Sequence, residues 1–295
     1  MATIPHRLAW DDARQIIASP HLVPLPEGEE TLQPTSGERA VRGLDPPAWC
    51  AWLMDAAERV PAGDDWLAPS ERARLAALRV EPRRAAWRLG RWTAKRAVAL
   101  VDGRRGLALE RIAIIATESG APLALIDAAP APWAISISHA AGRALCAVGP
   151  PAAAIGCDLE RVEPRSAAFV ADFFTAAEAA TVDRAAPHER AVLATLIWSA
   201  KEAALKAMRE GLRLDTRAVE VTPVSDPPVV GWRPLSAVHR LSGRRFDGWW
   251  QREGDCVVTL AADAPLGPPQ ALDPHVAPRT GRGASRRARN RPEGG

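Results

Sequence analysis

Hydrophobic positions recur along the chain with two periods, and these predict alternating helices and strands. Spacings of three and four residues predict helices over 82–101 and 190–210. Ser70 and Thr175 are predicted N-caps of two further helices, and Glu178 follows Thr175 at capping-box spacing. Alternating or continuous apolar runs predict strands at 111–116, 134–138, 143–149, 154–160, 218–224 and 246–261. Each half of the chain combines helices with hairpin strands, which predicts an α+β fold.

Proline and glycine punctuation divides the chain further. The stretch 20–47 contains too much of both for periodic structure, and the pair Pro150-Pro151 separates two similar sets of elements. The C-terminal end is rich in Pro, Gly and Arg, a composition typical of disorder. The predicted segments are an irregular N-terminal extension (1–48), an N-terminal half (49–150), a C-terminal half (151–264) and a disordered tail (265–295).

Charge and composition disfavour several classes of protein. The net charge of +3 arises in the tail, where 279–295 contain six arginines and one glutamate, so the body is close to neutral. The tail has no aromatic residue for base stacking, which disfavours nucleic-acid binding as its main role. The four cysteines form no CxxC pair, which argues against a zinc site or a disulfide framework. Without a signal-like segment or about 20 consecutive apolar residues, a soluble cytoplasmic protein with no membrane contact is expected.

The strand at 154–160 places two carboxylates on one face. Side chains alternate along a strand, so Asp158 and Glu160 point away from the apolar residues around Cys157. Two like charges so close together either lie at a solvated edge or share a cation. Oxygen ligands of this kind suit Mg²⁺, which binds one or two carboxylates together with water and phosphate. These two residues alone leave both interpretations open.

The helix at 190–210 and the hairpin around 139–142 carry further candidate groups. Lys201, Glu202 and Lys206 lie off the apolar stripe of the helix, where Glu202 and Lys206 form either an exposed ion pair or a metal and phosphate site. Ser138 and His139 lie at the mouth of the hairpin, where a hydroxyl and an imidazole can bind an anion, although a lone histidine is more often structural.

A basic stripe runs along the helix at 82–101. Arg84, Arg88, Arg91 and Lys95 recur at steps of three or four residues and share one side of the helix. A solvated helix face is the simpler interpretation of this stripe, and an anion-binding surface is the alternative.

Three motifs taken together have a recognisable order. SISHAAG at 136–142, GCDLE at 156–160 and WSAKEAALK at 198–206 resemble, in order and spacing, the 4′-phosphopantetheinyl transferase superfamily, in its larger, monomeric, surfactin-type branch. The resemblance extends over roughly residues 50–262. It implies a fold of two similar α+β halves related by a pseudo-twofold axis, with coenzyme A in the cleft between them.

The resemblance also implies an activity and a set of partners. Such an enzyme moves the 4′-phosphopantetheine arm of coenzyme A onto a serine of an apo acyl or peptidyl carrier protein and releases 3′,5′-ADP. Asp158, Glu160 and Glu202 would hold Mg²⁺, and Glu202 or a metal-bound water would take the serine proton. Lys206 would pair with the pyrophosphate. The implied contacts of coenzyme A are Arg74, Arg91, Lys95, Ser138, His139 (at the 3′-phosphate), Lys201 and Lys206.

One feature departs from the family pattern. Many relatives have a Gly-Lys-Pro turn before the hairpin, whereas this chain has Gly120-Ala121-Pro122 and lacks that phosphate-contacting lysine. Arg161 and Arg165 follow the acidic strand directly and are expected to contact the carrier protein. A Mg²⁺-dependent phosphohydrolase acting on a nucleotide, and nucleic-acid binding through the tail, are the alternative functions.

Overall fold

A computed structural model describes residues 49–104, 106–209, 215–223, 228–229 and 231–273. The extension predicted over 1–48 and the part of the tail beyond 273 lie outside the described residues. The described helices are α1 (Pro69–Ala77), α2 (Glu81–Asp102), α3 (Ala167–Phe173), α4 (Ala176–Arg184) and α5 (Arg190–Met208). Within these ranges, no helix is long and apolar enough to cross a membrane.

Twelve strands are described, and they form three sheets. The strands are β1 (Ala51–Ala56), β2 (Ile112–Ala116), β3 (Pro122–Ile126), β4 (Ala129–Pro130), β5 (Ala134–Ala140), β6 (Arg143–Gly149), β7 (Ile155–Arg161), β8 (Val219–Pro223), β9 (Arg233–His239), β10 (Arg245–Glu253), β11 (Cys256–Ala262) and β12 (Gln270–Ala271). Their orders are β12-β1-β6-β5, β7-β11-β10-β9-β8 and β2-β3-β4. The mixture of helices and mainly antiparallel sheets confirms the α+β prediction.

Each large sheet is covered by one long helix. Helix α2 packs on β6 and β1, and helix α5 packs on β7 and β11. The two sheets meet where β5 lies beside β7, and the Cys157 amide donates a hydrogen bond to Ser136 Oγ there at 2.9 Å. The meeting point of the two sheets therefore brings the hairpin motif of β5–β6 next to the acidic motif of β7.

A buried ion pair between Glu71 and Lys95 lies beside α2. The carboxylate of Glu71 on α1 accepts hydrogen bonds from the Ala68 amide at 3.0 Å, from the Ile114 amide of β2 at 3.0 Å, and from the ammonium of Lys95. Glu71 and Lys95 are both buried. This contact joins α1, α2 and β2 through a single carboxylate.

The same arrangement occurs near α5. Glu178 on α4 accepts hydrogen bonds from the Thr175 amide at 2.8 Å and the Val221 amide of β8 at 2.8 Å, and Lys201 lies 2.8 Å from its carboxylate. The sequences leading into the two lysines are also alike, WTAK at 92–95 and WSAK at 198–201. A short helix, a long helix and the strand after it are thus joined in the same way in both parts of the chain.

Several boundaries differ from the sequence-based expectations. Helix α1 begins at Pro69 with Ala68 as N-cap, so Ser70 lies inside the helix and not at its cap. Helix α5 ends at Met208, with Arg209 in the left-handed conformation. Helix α3 and strands β1, β3, β4 and β9 were not predicted. Strand β12 lies in the segment expected to be disordered, where it pairs in parallel with β1. The predicted boundary at 264 therefore lies too early, because the chain continues in ordered structure to 273.

Candidate functional site

The candidate site lies where strand β7 packs closely against helix α5. At Gly156, an added methyl carbon would lie 1.9 Å from the Ala203 carbonyl oxygen and 2.7 Å from the Ala207 amide nitrogen. Only a glycine allows the strand and the helix to approach so closely. This contact explains why the glycine of the acidic motif is needed, and it brings Asp158 opposite Lys206.

Asp158 is the centre of the polar cluster. Its Oδ1 accepts hydrogen bonds from Ser138 Oγ at 2.8 Å and from Lys206 Nζ at 2.8 Å. Lys206 also donates to Ser138 Oγ at 3.0 Å and to the Cys157 carbonyl at 3.0 Å. Asp158 is 4% exposed, and its Oδ2 has no hydrogen-bond partner among the described residues. The hairpin, the acidic strand and helix α5 thus converge on one carboxylate.

The two glutamates differ in how their oxygens are satisfied. Glu160 accepts hydrogen bonds on both: Oε1 from Trp198 Nε1 at 3.0 Å and Oε2 from Arg165 Nη2 at 3.0 Å. Glu202 Oε1, in contrast, is buried and has no hydrogen-bond partner within the described part of the chain. The unsatisfied buried oxygens at this site therefore belong to Asp158 and Glu202.

Crowding of the carboxylates changes their protonation. Burial, followed by the charge of Asp158, raises the pKa of Glu160 to about 7 and that of Glu202 to about 8. Burial alone would lower the pKa of Lys206, but the charges of Asp158 and its other neighbours outweigh burial, and the pKa is raised. Three carboxylates therefore share one region that holds more negative charge than its surroundings neutralise.

These residues fit a divalent cation by their chemistry. No group of three His, Cys, Asp or Glu side chains within the described ranges is already arranged as a metal site. Nevertheless, Asp158 Oδ2 and Glu202 Oε1 are buried oxygens without partners, and a buried polar atom without a partner is costly. Hard oxygen ligands suit Mg²⁺. Asp158 and Glu202 would hold such an ion together with Glu160, whose two oxygens each keep a further lone pair beside one hydrogen bond.

The structure brings Ser138 and His139 to this site. Ser138 lies in hydrogen-bond contact with both Asp158 and Lys206. His139 lies at the end of β5, where the residue as a whole is exposed while its imidazole is closely surrounded by protein atoms. Desolvation of its imidazole and the positive charge of Lys206 lower its pKa, so the ring is neutral around pH 7. A neutral imidazole presents one donor and one acceptor at the mouth of the cluster.

The structure does not bring Lys201 and Lys95 to this site, in contrast to the sequence-based expectation. Both lysine side chains are fully buried. Lys201 is paired with Glu178 and donates to the Thr216 carbonyl at 3.0 Å, while Lys95 donates to the Trp66 carbonyl at 2.8 Å. The expected contact of these two lysines with coenzyme A is therefore replaced by a structural role, because their ammonium groups are satisfied inside the core.

The other members of the basic stripe on α2 are also used in packing. Arg84 donates to the Leu75 carbonyl at 2.7 Å, and Arg88 donates to the carbonyls of 61–63. Arg91 lies 3.8 Å from Glu71, and burial lowers its pKa to about 10. The segment 60–78 covers much of this stripe, so it is not a solvated face, while the expected contact of Arg91 with coenzyme A stays a prediction. Arg74 is exposed on α1.

The two arginines after the acidic motif have different environments. Arg161 is 61% exposed and lies 3.3 Å from Asp255. Arg165 is only 5% exposed and contacts Glu160. The expected contact of Arg165 with a carrier protein is wrong for this structure, because its guanidinium faces the carboxylate cluster and not the surface.

In the turn that lacks a lysine, the Ala121 carbonyl accepts a hydrogen bond from the Thr117 amide at 2.9 Å.

Comparison with known families matches the part of the chain that holds the cluster. Residues 154–243 match the model of the 4′-phosphopantetheinyl transferase superfamily. This segment is a 4′-phosphopantetheinyl transferase superfamily domain. The domain contains Asp158, Glu160, Glu202 and Lys206, whereas Ser138 and His139 lie before it. No curated protein matches the chain. The match over this segment suggests phosphopantetheine transfer in general terms, and the general partners of the superfamily are coenzyme A and a carrier protein.

Sequence reasoning did not identify two groups that contact Glu160 in the carboxylate cluster, Trp198 and Arg165. Trp198 belongs to the WSAKE motif, but its hydrogen bond to Glu160 depends on how α5 packs on β7. Arg165 follows a proline in the segment after β7, where no periodic pattern predicts a side-chain direction. The buried pair Glu178–Lys201 could have been found from the sequence, because a glutamate near a helix start followed by a W-[ST]-A-K lysine occurs twice, as Glu71 with Lys95 and as Glu178 with Lys201.

Replacing Lys201 is expected to affect stability and not ligand binding. In Lys201→Met, Glu178 would be left buried without its cation, which costs about 3–5 kcal/mol. Urea unfolding should show this loss, while the folded fraction keeps its coenzyme A affinity. The double variant Glu178→Gln/Lys201→Met should recover part of the stability. If Lys201→Met kept full stability and lost coenzyme A binding, the structural role would be contradicted.

Proposed function

We propose that this protein is a surfactin-type 4′-phosphopantetheinyl transferase that acts as a monomer. It transfers the 4′-phosphopantetheine arm of coenzyme A to a serine of an apo acyl or peptidyl carrier protein and releases 3′,5′-ADP. The observation that carries the proposal is the cluster on β7 and α5, where the unpartnered oxygens of Asp158 and Glu202 lie beside Lys206 within the superfamily domain.

A buried glutamate–lysine contact that occurs twice along the chain supports the proposal of two similar halves and of the surfactin-type branch. The contacts of Glu71 with Lys95 and of Glu178 with Lys201 join equivalent elements in both halves. The two large sheets meet at β5 and β7, next to the polar cluster. A pseudo-twofold axis between the halves would place coenzyme A in the cleft at this junction, in reach of Ser138 and His139. The matched superfamily segment, 154–243, lies entirely in the second half. The Glu71–Lys95 contact in the first half is therefore support for two similar halves that does not depend on that match.

Lys206 and Ser138 would bind the reacting part of coenzyme A. Phosphoryl transfer depends mainly on positioning and on neutralising charge at the phosphate oxygens. Lys206 keeps its proton, because its pKa is raised, and it would pair with a pyrophosphate oxygen. Ser138 and His139 would add hydrogen bonds from the hairpin side. Mg²⁺, when held by Asp158, Glu160 and Glu202, would supply further positive charge on the leaving pyrophosphate.

Glu202 would take the proton of the attacking serine. Burial and Asp158 raise its pKa to about 8, so its carboxylate accepts a proton readily near neutral pH. Lys206 is close enough for its charge to act on Glu202, and it makes the rise in the pKa smaller than burial and Asp158 alone would produce. Asp158 already accepts hydrogen bonds from Lys206 and Ser138. It would therefore position these two side chains and would not take the proton.

Release of 3′,5′-ADP with and without a carrier protein tests this proposal. The purified full chain, given coenzyme A and Mg²⁺, should release 3′,5′-ADP only when an apo carrier domain is added, and each ADP should match one modified serine. A panel of fatty acid, polyketide and nonribosomal peptide carriers identifies the preferred class. Release at the same rate without any carrier would instead indicate the phosphohydrolase alternative and would contradict the transferase.

A further inference from the structure

Four side chains beside the carboxylate cluster form a closed ring of contacts: Glu160, Arg165, Phe169 and Trp198. Glu160 accepts a hydrogen bond from Arg165 on one oxygen and from Trp198 on the other, each at 3.0 Å. The Arg165 Cζ atom lies 4.9 Å from the centroid of the Phe169 ring. Phe169 packs edge-on against Trp198, with centroids 5.0 Å apart and an interplanar angle of 69°. Each member of the ring therefore contacts two others.

The ring is anchored in the core of the second half. Phe173 on α3 packs against both aromatic members, with centroids 4.8 Å from Phe169 and 5.1 Å from Trp198. Trp198 is 3% exposed and belongs to the core between α5 and the five-stranded sheet. The Arg165 side chain is 5% exposed, so its charge is withdrawn from water and depends on Glu160 and Phe169.

This anchoring restricts the carboxylate of Glu160. A glutamate side chain has three rotatable bonds and loses substantial freedom when it is fixed. Two hydrogen bonds from separate elements, one on each oxygen, hold the carboxylate in one orientation, and each oxygen retains a further lone pair. Arg165 also places a fixed positive charge next to Glu160, which offsets the repulsion that Asp158 exerts on this carboxylate.

We propose that Arg165 is a positioning residue that, together with Trp198, fixes Glu160 for binding of a divalent cation. The inference rests on the proposed function, because it assumes that the carboxylate cluster holds the metal. Groups that orient metal ligands through hydrogen bonds typically change metal affinity by 10- to 100-fold when they are replaced. Arg165 acts through Glu160 and touches neither the phosphate nor the carrier protein.

Direct Mn²⁺ binding to the full chain, followed by electron paramagnetic resonance, tests the role of Arg165. Arg165→Gln should weaken Mn²⁺ binding about 10-fold, while Arg165→Lys should weaken it less, because a lysine restores the charge without the planar contact. Arg161→Gln is the matched control: it removes an exposed arginine four residues away and should leave Mn²⁺ affinity within about twofold. Trp198→Phe keeps an aromatic ring, removes the N–H donor and should weaken binding in the same direction.

A second measurement separates positioning from docking and from folding. In transfer assays, Arg165→Gln should raise the Mg²⁺ concentration needed for half-maximal rate and leave the KM for the carrier protein unchanged. Circular dichroism reports folding, and if Arg165→Gln does not fold, Arg165→Lys and Trp198→Phe carry the test. Unchanged Mn²⁺ affinity in these variants, with binding intact in the wild type, would overturn this inference alone. Absence of Mn²⁺ binding by the wild type would overturn the metal site of the proposed function, and this inference with it.

Discussion

Asp158→Asn should lower the rate of phosphopantetheine transfer by about 10²–10³-fold or more while leaving the protein folded. The amide keeps the size of the side chain and can still accept the hydrogen bonds of Ser138 and Lys206 through its oxygen. It replaces the unpartnered Oδ2 with an NH₂ group, which cannot bind a cation. Initial rates of carrier modification and Mn²⁺ binding should fall together, whereas the melting temperature should remain near or above that of the wild type.

Asp247→Asn provides the control for that change. Asp247 is exposed on β10, in the same sheet as β7, so the same chemical replacement is made outside the cluster. Its rate and metal affinity should equal those of the wild type. If Asp158→Asn transferred the arm at more than about a tenth of the wild-type rate, Asp158 would not be the central ligand, and the site would need to be placed elsewhere.

Gly156→Ala should prevent stable folding or lower the free energy of unfolding by about 3 kcal/mol or more. The added methyl carbon would overlap the Ala203 carbonyl at 1.9 Å, and the overlapping atoms belong to the backbone of α5, which cannot move aside as a flexible side chain does. Strand β7 and helix α5 would have to separate, which would also separate Asp158 from Lys206. Urea unfolding, or the yield of soluble protein where no folded protein is obtained, measures the effect.

Gly90→Ala is the matched control for steric overlap. Gly90 lies inside α2, and its added methyl carbon would lie 3.6 Å from Ile137 Cγ2, an ordinary van der Waals distance. Alanine favours a helix interior by about 1 kcal/mol over glycine. Gly90→Ala should therefore be as stable as the wild type or slightly more so. Equal stability of both alanine variants would contradict the close packing of β7 on α5.

The sequence was sufficient for features that depend on local periodicity. Alternation along β7 correctly placed Asp158 and Glu160 opposite the apolar residues, and the spacing of Thr175 and Glu178 correctly predicted a capping box. These predictions need only the geometry of one strand or one helix turn. The contact of Ser138 with Asp158, in contrast, depends on β5 lying next to β7, which the periodicity of either strand does not show.

The sequence was insufficient where several elements pack around one helix. Helical spacing gives the angular position of Lys95 or Lys201, but it does not show that another carboxylate-bearing helix covers that side. Polar residues were therefore assigned to solvent or ligand when they were buried as ion pairs. Strand β12 was missed for a different reason: it follows Pro268-Pro269, a local composition typical of disorder, and its pairing partner β1 lies more than 200 residues earlier.

The intact mass of an apo carrier domain after incubation with the full chain, coenzyme A and Mg²⁺ tests the central claim most directly. The account predicts that the carrier gains the mass of one phosphopantetheine group, that chelation of the metal abolishes the gain, and that replacing its acceptor serine with alanine does the same. An unchanged carrier mass across acyl and peptidyl carrier domains, with folded enzyme and metal present, would contradict it.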